Sequence, residues 1–410
     1  MRQWMVAAKK ADFYAIAEKF HVDPVVARII RNREVIGEKN IRIYLGGNLS
    51  DLSDPHQMKD MDRLVEILPQ KIRKQVHIRI IGDYDVDGVT SSHLFLTALR
   101  RVGAKVDVVI PHRIQDGYGL SLHLLQQAKE DGVDTILTCD NGIAAIDEIA
   151  WAKAQKMTVL VTDHHAVPFE EHEGRRTEKK SLADAVVNPH QQDCGYPYKE
   201  LCGAGVAWNV IRVLYENYDM DKREAEDLLD FVAMATVCDV MSLTGENRIL
   251  VKEGLKRIRH TKNIGLQALM QACNVQPENI SAYHFGYVLG PCVNATGRLD
   301  TARHALRLFE TGQETEAEEI ARDLVDLNQE RKELTLQGVE MAKKLCEEGG
   351  YENDPILVLF LPDVHESIAG LIAGRIREMY NRPVFVLTRG EEGVKGSGRS
   401  TENYSMYENM

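Results

Sequence analysis

Four places in this 410-residue chain bring acids or imidazoles to the end of an apolar run. The first is GDYDVDG at 82–88, where Asp83, Asp85 and Asp87 follow Ile78, Ile80 and Ile81. In extended chain, alternate side chains point to one side. Three carboxylates there would share a small volume, each raising the pKa of the others, and a divalent cation relieves that cost. The second place is Asp140-Asn141-Gly142, after VDTILTC (133–139), and the third is Asp163-His164-His165, after MTVLVT (157–162). The fourth, Asp239, closes FVAMATVC (231–238), where it also reads as an ordinary helix-terminal acid.

Carboxylates with one or two imidazoles and no thiolate suit Mn²⁺ or Mg²⁺ better than a structural zinc. The acids outnumber the needs of one ion. Two ions about 3.5–4 Å apart, sharing a bridging aspartate, would use them all and form a phosphoryl-transfer centre. D-x-D-x-D-G also opens a calcium-binding EF-hand loop. That reading fails, because the twelfth position is Leu94 instead of Glu and a strand precedes the loop. Cys139 and Cys238 adjoin candidate ligands and read as core packing.

These acids need a common edge. Short β-branched runs at 76–82, 105–111, 133–139, 157–162 and 184–188 alternate with helical patterns near 89–102, 121–130 and 144–156. The alternation predicts an α/β fold, a parallel sheet with helices on its faces. The carboxyl ends of such strands share one edge, where ligands bind. Residues 168–182 read as a solvated surface loop. Residues 1–75 and 203–275 read as helical, with Pro24 after Asp23 as a normal helix start. From 314 to 348, Ile320, Leu324, Leu327, Leu334, Met341 and Leu345 recur at steps of three, four and seven, predicting a long helix that bridges two domains. Strand, helix, strand and glycine-rich patterns at 355–361, 367–380, 383–388 and 393–400 then predict a second, smaller α/β domain.

Composition excludes some classes. No apolar stretch approaches membrane-spanning length, and the first residues lack a signal peptide's apolar core. Seven scattered cysteines without zinc or redox spacing fit a reducing cytoplasm. A formal charge of −12 argues against an unaided nucleic-acid binder, although a whole-chain sum hides local patches. Three arginines stand in suggestive contexts: Arg113 in PHRIQDGYGL, Arg298 in NATGRL, and Arg399 after Gly396-Ser397-Gly398. Guanidinium groups match phosphate bidentately, and a glycine-rich turn can offer backbone N–H groups to an anion. Ordinary surface positions are the alternative. His93 reads as a helix residue facing neighbours. Gly203 and Gly205 form a partial G-x-G without a preceding strand, which argues against a dinucleotide cofactor.

The motifs together resemble the DHH phosphoesterase superfamily and, within it, the RecJ family of single-strand-specific 5′ exonucleases. The resemblance rests on GDYDVDG (Val86 standing where Ala is more usual), CDNG (139–142), TDHH (162–165) and the Asp239 segment. LCGAGVAW (201–208), NATGRLDTA (294–302) and GSGRS (396–400) extend it, as do ARIIRNREV (27–35) and DPHQMKDMDRLVE (54–66) in the leader. It implies a helical leader at 1–75, a DHH catalytic domain at 76–245, a helical region with the connecting helix at 246–348, and a substrate-binding domain at 349–410. It also implies two Mn²⁺ or Mg²⁺ ions held by Asp83, Asp85, Asp87, Asp140, His164 and Asp239, with Asp140 as the bridge. Asp140, Asp163 and His165 would form the catalytic group, His165 facing the scissile phosphate. Arg113, Arg298, Ser397 and Arg399 would grip the 5′ phosphate or nearby backbone. The implied activity is 5′→3′ release of mononucleotides from single-stranded DNA in repair and recombination, with single-strand-binding protein and a recombination helicase as partners. A phosphodiesterase for short oligonucleotides or signalling nucleotides, and a non-catalytic scaffold, are the alternatives. The chain departs from the family in ending at Met410 without a Gly-Gly-His segment or an oligonucleotide-binding barrel, so a fragment or an abbreviated homologue is expected. A missing strand would leave the second domain an exposed edge.

Overall fold

Five parallel strands carry the site: β1 (Ile78–Ile81), β2 (Val106–Val109), β3 (Thr135–Cys139), β4 (Thr158–Thr162) and, after a hairpin, β7 (Ala185–Val187). The computed structural model describes residues 9–172, 175–351, 354–390 and 393–409. The strand order β2-β1-β3-β4-β7 reverses direction at β1. The crevice beyond the carboxyl ends of β1 and β3 is therefore the sheet's topological switch point.

Burial on both faces explains the nearly continuous apolar strands. Ile80, Leu137 and Leu160 face one core, with the helices Val86–Arg101, Gly203–Asn217 and Leu229–Cys238. Ile81, Ile136, Val159 and Val161 face the other, with Leu124, Leu125 and Ile149 of the helices Leu122–Glu130 and Ile146–Ala154. Beside the buried threonines of β3 and β4, the strands bury one charged residue, Arg79. Its guanidinium forks onto its register partner Asp107 at 3.0 and 2.7 Å and reaches Asp131 at 2.8 Å.

A helix of 36 residues, Glu314–Gly349, leaves this body. At about 1.5 Å per residue it spans roughly 54 Å. Ala317, Ile320, Ala321 and Leu324 belong to the main core, and Val339, Ala342 and Cys346 to that of the second unit. Met341, expected on the apolar stripe, is 42% exposed. Helical drift over so many turns hands the docking face to its neighbours. The second unit is a three-stranded sheet packed on the helix Ala369–Tyr380. In it β8 (Leu357–Phe360) runs parallel to β9 (Val384–Gly390). The segment Gly393–Arg399, read from sequence as a glycine-rich turn, is strand β10, antiparallel to β9. It forms one edge of that sheet, and most of its residues are exposed.

The expected surface loop at 168–182 is also partly strand: β5 (Phe169–His172) and β6 (Arg175–Glu178) form a hairpin. Its alternating charges keep it on the surface while cross-strand pairing orders it. At the N-terminal end, the helices Phe13–Phe20, Pro24–Asn32 and Glu38–Gly46 build a small core of Ile30, Val35, Ile41 and Tyr44. Asp12 and Asp23 cap the first two by accepting from Ala15 and Val25 N–H groups. Among the described residues, no helix is long and apolar enough to cross a membrane.

The central sheet sets stability. Leu137→Ala, at a fully buried β3 position, is expected to cost about 2–5 kcal/mol. Leu336→Ala, 64% exposed on the long helix, is expected to stay within about 0.5 kcal/mol. Urea unfolding of both variants checks the contrast.

Candidate metal centre

The acids after β1 converge by a route other than the extended alternation expected from sequence. The strand ends at Ile81, and Val86 already begins a helix. Asp85 is that helix's N-cap: its Oδ1 accepts from Asp87 N at 2.9 Å and Gly88 N at 3.0 Å. Asp87 lies in the first turn, and its carboxylate turns to a second helix start. There, Gly203 N and Ala204 N donate to it at 2.6 and 2.8 Å, so the positive end of the Gly203–Asn217 helix faces a negative charge. A Cβ at Gly203 would sit 2.6 Å from Asp140 Cβ. Only glycine lets that helix approach so closely, which explains the first glycine of the G-x-G pattern without a dinucleotide.

Asp140 follows β3 with φ of +60°, a left-handed conformation that aspartate tolerates better than most residues. Asn141 holds the turn, its Nδ2 donating to Ile81 O at 3.0 Å and Cys139 O at 2.9 Å. After β4, Asp163 is saturated. Ile143 N donates to its Oδ2 at 2.9 Å, and His164 N, His165 N and His165 Nδ1 reach its Oδ1 at 2.7, 3.1 and 2.8 Å. Burial pushes the Asp163 carboxyl up, but the His165 bond and the backbone N–H groups outweigh it and hold it below the usual range. Asp163 therefore anchors the two histidines, with both its oxygens engaged in hydrogen bonds and neither in the candidate cation sets. Asp239 is the C-cap of the helix Leu229–Cys238, the local structure sequence suggests for it. The packing of that helix against the Val86 helix brings it in. Cys238 is helical too, and its Sγ contacts Phe285 O at 3.3 Å.

The result is one cluster. His164 Nε2 lies 3.0 Å from Asp140 Oδ1 and 3.6 Å from both Asp87 Oδ2 and Asp239 Oδ2. Three sets could each hold a cation, their ligand atoms within 4.8 Å of one another: Asp140, His164 and His165; Asp87, His164 and Asp239; Asp83, Asp85 and Asp140. Asp140 and His164 each appear in two sets. Asp83 Oδ1, Asp140 Oδ1, His164 Nε2 and Asp239 Oδ2 are buried without a hydrogen-bond partner. Orphaned acceptors on crowded carboxylates fit a hard divalent cation.

Electrostatics agree. Burial, then Asp85, pushes Asp83 up to about 8. Burial, then Asp87 and Asp85, pushes Asp239 up to about 8 and Asp140 well above its ordinary value. Asp85 is raised by burial and Asp87. His165 is raised to about 9, chiefly by its bond to Asp163.

Sequence reading missed Tyr118. Its hydroxyl donates to Asp140 O at 3.1 Å and lies 3.0 Å from His165 Nε2. Its ring meets Tyr84 edge-on at 6.1 Å, and Arg113 covers Tyr84 at 4.1 Å. A tyrosine between two glycines in a βα loop was the available signal. Asn294 on the helix Gly290–Leu299, which accepts from Val86 N at 3.2 Å, and Asn188, whose Nδ2 donates to His165 O at 2.9 Å, had no local signal.

The candidate phosphate residues adjoin the acidic loop, where the two units face each other. Arg113 donates from Nε to Gly297 O at 3.1 Å and lines a cleft with Ser367, Lys395 and Gly396. Arg298 Nη1 donates to Ser367 O across the units at 2.8 Å. Burial, then Arg113 and Arg331, lowers Arg298 to about 10. Arg399 Nη1 donates to Gly398 O at 2.9 Å and Ser397 Oγ at 3.3 Å. His93 is no ligand: it packs 4.4 Å from Phe231.

The raised carboxyls make a stability prediction. Without metal, the native state keeps protons on Asp83 and Asp239 up to about pH 8, whereas the unfolded chain releases them near its ordinary 3.8. The stability tied to these two groups is therefore greatest below their unfolded value and is lost as pH rises through that window. In chelator, Tm is expected to fall from about pH 5.5 to about pH 8, and Mn²⁺ to raise it more at the higher pH. Asp140→Asn removes one repelling charge, so it should raise the metal-free Tm and erase the Mn²⁺ shift. Differential scanning calorimetry checks both, and a Tm that climbs with pH in chelator would contradict the account.

Comparison with known proteins places this geometry. The family described as "DHH family, N-terminal domain" matches residues 77–236. Single-stranded-DNA-specific exonuclease RecJ of Haemophilus influenzae is 36% identical over 397 residues, covering 93% of this chain and 67% of that protein. The Bacillus subtilis RecJ is 33% identical over 398 residues, covering 97% of this chain and 49% of that protein. The chain thus spans between half and two thirds of these relatives. The crystal structure of Thermus thermophilus RecJ in complex with Mn²⁺ superposes with a TM-score of 0.79 at 29% identity, covering 98% of this chain and 55% of that one. A manganese-bound exonuclease RecJ structure gives 0.73 at 32% identity, covering 86% and 84%. With its aspartates and histidines gathered at the switch point of a DHH sheet and this likeness running nearly end to end, the chain belongs to the RecJ family.

Proposed function

We propose that the protein is a metal-dependent exonuclease that shortens single-stranded DNA from its 5′ end and releases 5′ mononucleotides. The observation that carries this reading is the pairing of two features. A cluster of orphaned carboxylates fit for two cations lies beyond β1 and β3, and a cluster of arginines lies at the cleft between the two units. The ions are Mn²⁺ or Mg²⁺; the two RecJ structures named above hold manganese. Asp83, Asp85, Asp87, Asp140, His164 and Asp239 would hold them, with Asp140 between the two. Bound there, such ions supply charge neutralisation and Lewis acidity for phosphodiester hydrolysis.

The chain's own residues set the geometry. Asp163 fixes the ring of His165 from one side and Tyr118 from the other, leaving an imidazole aimed at the edge where a scissile phosphate would lie. Arg113, Arg298, Ser397 and Arg399 form the anchor for a 5′ phosphate. An anchor at fixed distance from the cutting site explains the 5′ end preference and the release of single nucleotides. Residues 76–245 then act as the cutting domain and 349–410 as the holding domain. Residues 246–348, with the long helix, fix the spacing, and the leader at 1–75 flanks them. Genome maintenance by DNA repair and recombination is the setting we assign, in the cytoplasm, with single-strand-binding protein and a recombination helicase as partners.

A 5′-phosphorylated single strand with Mn²⁺ should be degraded to mononucleotides, and a dinucleotide should be a poorer substrate. Preference for the dinucleotide would favour a small-substrate phosphodiesterase instead. Asp140→Asn should remove cleavage while the protein stays folded. Arg399→Ala, at an exposed position, should lower kcat/KM for 5′-phosphorylated strands about tenfold to a hundredfold, the loss of one charged hydrogen bond. It should leave 5′-hydroxyl strands nearly unchanged, and an equal loss on both would remove the anchor.

A further inference from the structure

Two of the seven cysteines touch. Cys273 closes the helix Ile264–Ala272, and Cys292 lies in the helix Gly290–Leu299 that also carries Arg298. Their Sγ atoms are 3.8 Å apart. Both thiols are free, Cys292 buried and Cys273 partly exposed. The pair sits in a basic setting: Arg331 and Lys332 lie on the facing turn of the long helix. The bond from Cys273, then Asn328, Lys332 and Arg331, hold the Cys292 thiol below its ordinary value against its burial, while the same contact pushes the Cys273 thiol up; the thiolate of the pair therefore resides on Cys292.

The pair is hydrogen-bonded to the long helix. Buried Asn328 donates from Nδ2 to Cys292 Sγ at 3.4 Å, and Arg331 Nη2 donates to Asn328 Oδ1 at 2.6 Å. Arg331 Nε is itself buried and without a partner, and its charge acts on Arg298. One amide thus links the thiol to Arg331, whose charge is felt at Arg298.

We propose that Cys273 and Cys292 are an oxidisable pair whose disulfide loosens the Asn328–Arg331 support of the arginine cleft. The oxidant is a peroxide. It transfers one oxygen to a thiolate sulfur, giving a sulfenic acid and, with one proton, water. The second sulfur attacks the first, the S–S bond forms, and the sulfenic oxygen leaves as a second water. The two thiols lose two electrons and the peroxide gains them. A disulfide requires about 2.05 Å between the sulfurs, so they must close by about 1.8 Å. That movement draws Cys292 Sγ from Asn328 and frees the amide to rotate away from Arg331. The effect on substrate rests on the phosphate-anchor reading; the chemistry of the pair does not.

Reduced, metal-free protein treated with stoichiometric hydrogen peroxide should lose the mass of two hydrogens and yield one cross-linked peptide joining Cys273 to Cys292. Cys273→Ser should abolish the cross-link, as should Cys292→Ser, whereas Cys194→Ser should leave it intact. Both thiols remaining open to alkylation, or a cross-link to any other cysteine, would overturn the pair. Fluorescence anisotropy with a labelled 5′-phosphorylated single strand in Ca²⁺ then reads the coupling. The oxidised protein should bind about fivefold or more weakly than the reduced, the lower range of coupling between sites, and Cys273→Ser should bind equally before and after peroxide. Equal binding by oxidised and reduced protein, with the disulfide in place, removes the link to the cleft while leaving the pair. If 5′-phosphorylated and 5′-hydroxyl strands bind alike even in the reduced state, the anchor reading fails instead.

Discussion

Mutual repulsion among buried carboxylates is the constraint around which this structure is arranged. Asp83, Asp87 and Asp140 are almost fully buried, Asp85 and Asp239 partly so. In a medium that screens poorly, each added negative charge raises the cost of the next. Folding manages part of that cost directly. The Gly203–Asn217 helix points its N-terminus at Asp87, and the first N–H groups of the Val86 helix satisfy Asp85. What remains on Asp83, Asp140 and Asp239 has no protein partner. A cation is the natural complement, so stability and cofactor affinity are two faces of one electrostatic balance.

The sheet topology makes this convergence possible. Order reverses at β1, so the loops after β1 and β3 open on the same crevice with no crossover helix between them. Asp163 sets the position of β4's contribution, and the helix Leu229–Cys238 swings Asp239 in from outside the sheet. The arginine cleft obeys a different rule. Its members come from a βα loop, a helix and the second unit's edge strand β10. Their relative placement depends on the long helix Glu314–Gly349, which is buried in one core at its start and in the other at its end. At Gly297, a Cβ would lie 2.3 Å from Tyr84 O. The residue before Arg298 thus lets its helix press directly on the acidic loop and couples cleft to metal centre.

The ordering of the aromatic contacts adds a second coupling. Arg113 covers Tyr84, Tyr84 meets Tyr118, and Tyr118 meets His165. Packed rings thus run without a break from the Arg113 guanidinium to the His165 imidazole.

Chemical identity was legible in the sequence. Acids and histidines at the ends of apolar β-branched runs gave the cation and the α/β class, because strand ends share an edge whatever the detail. The long helix was legible from its period, and the arginines from their glycine-rich settings. What lay beyond reading was decided by packing between distant segments. The acids of GDYDVDG meet through a helix start instead of an extended strand. Asp163 is consumed by hydrogen bonds, the 393–399 segment pairs as a strand, and Tyr118 and Asn294 enter through loops and helices with no local pattern of their own. Spacing along a chain reports periodicity, and so names the residues a strand or helix presents. Which oxygen is left without a partner depends on every neighbour brought in by tertiary contact, and that only the folded structure decides.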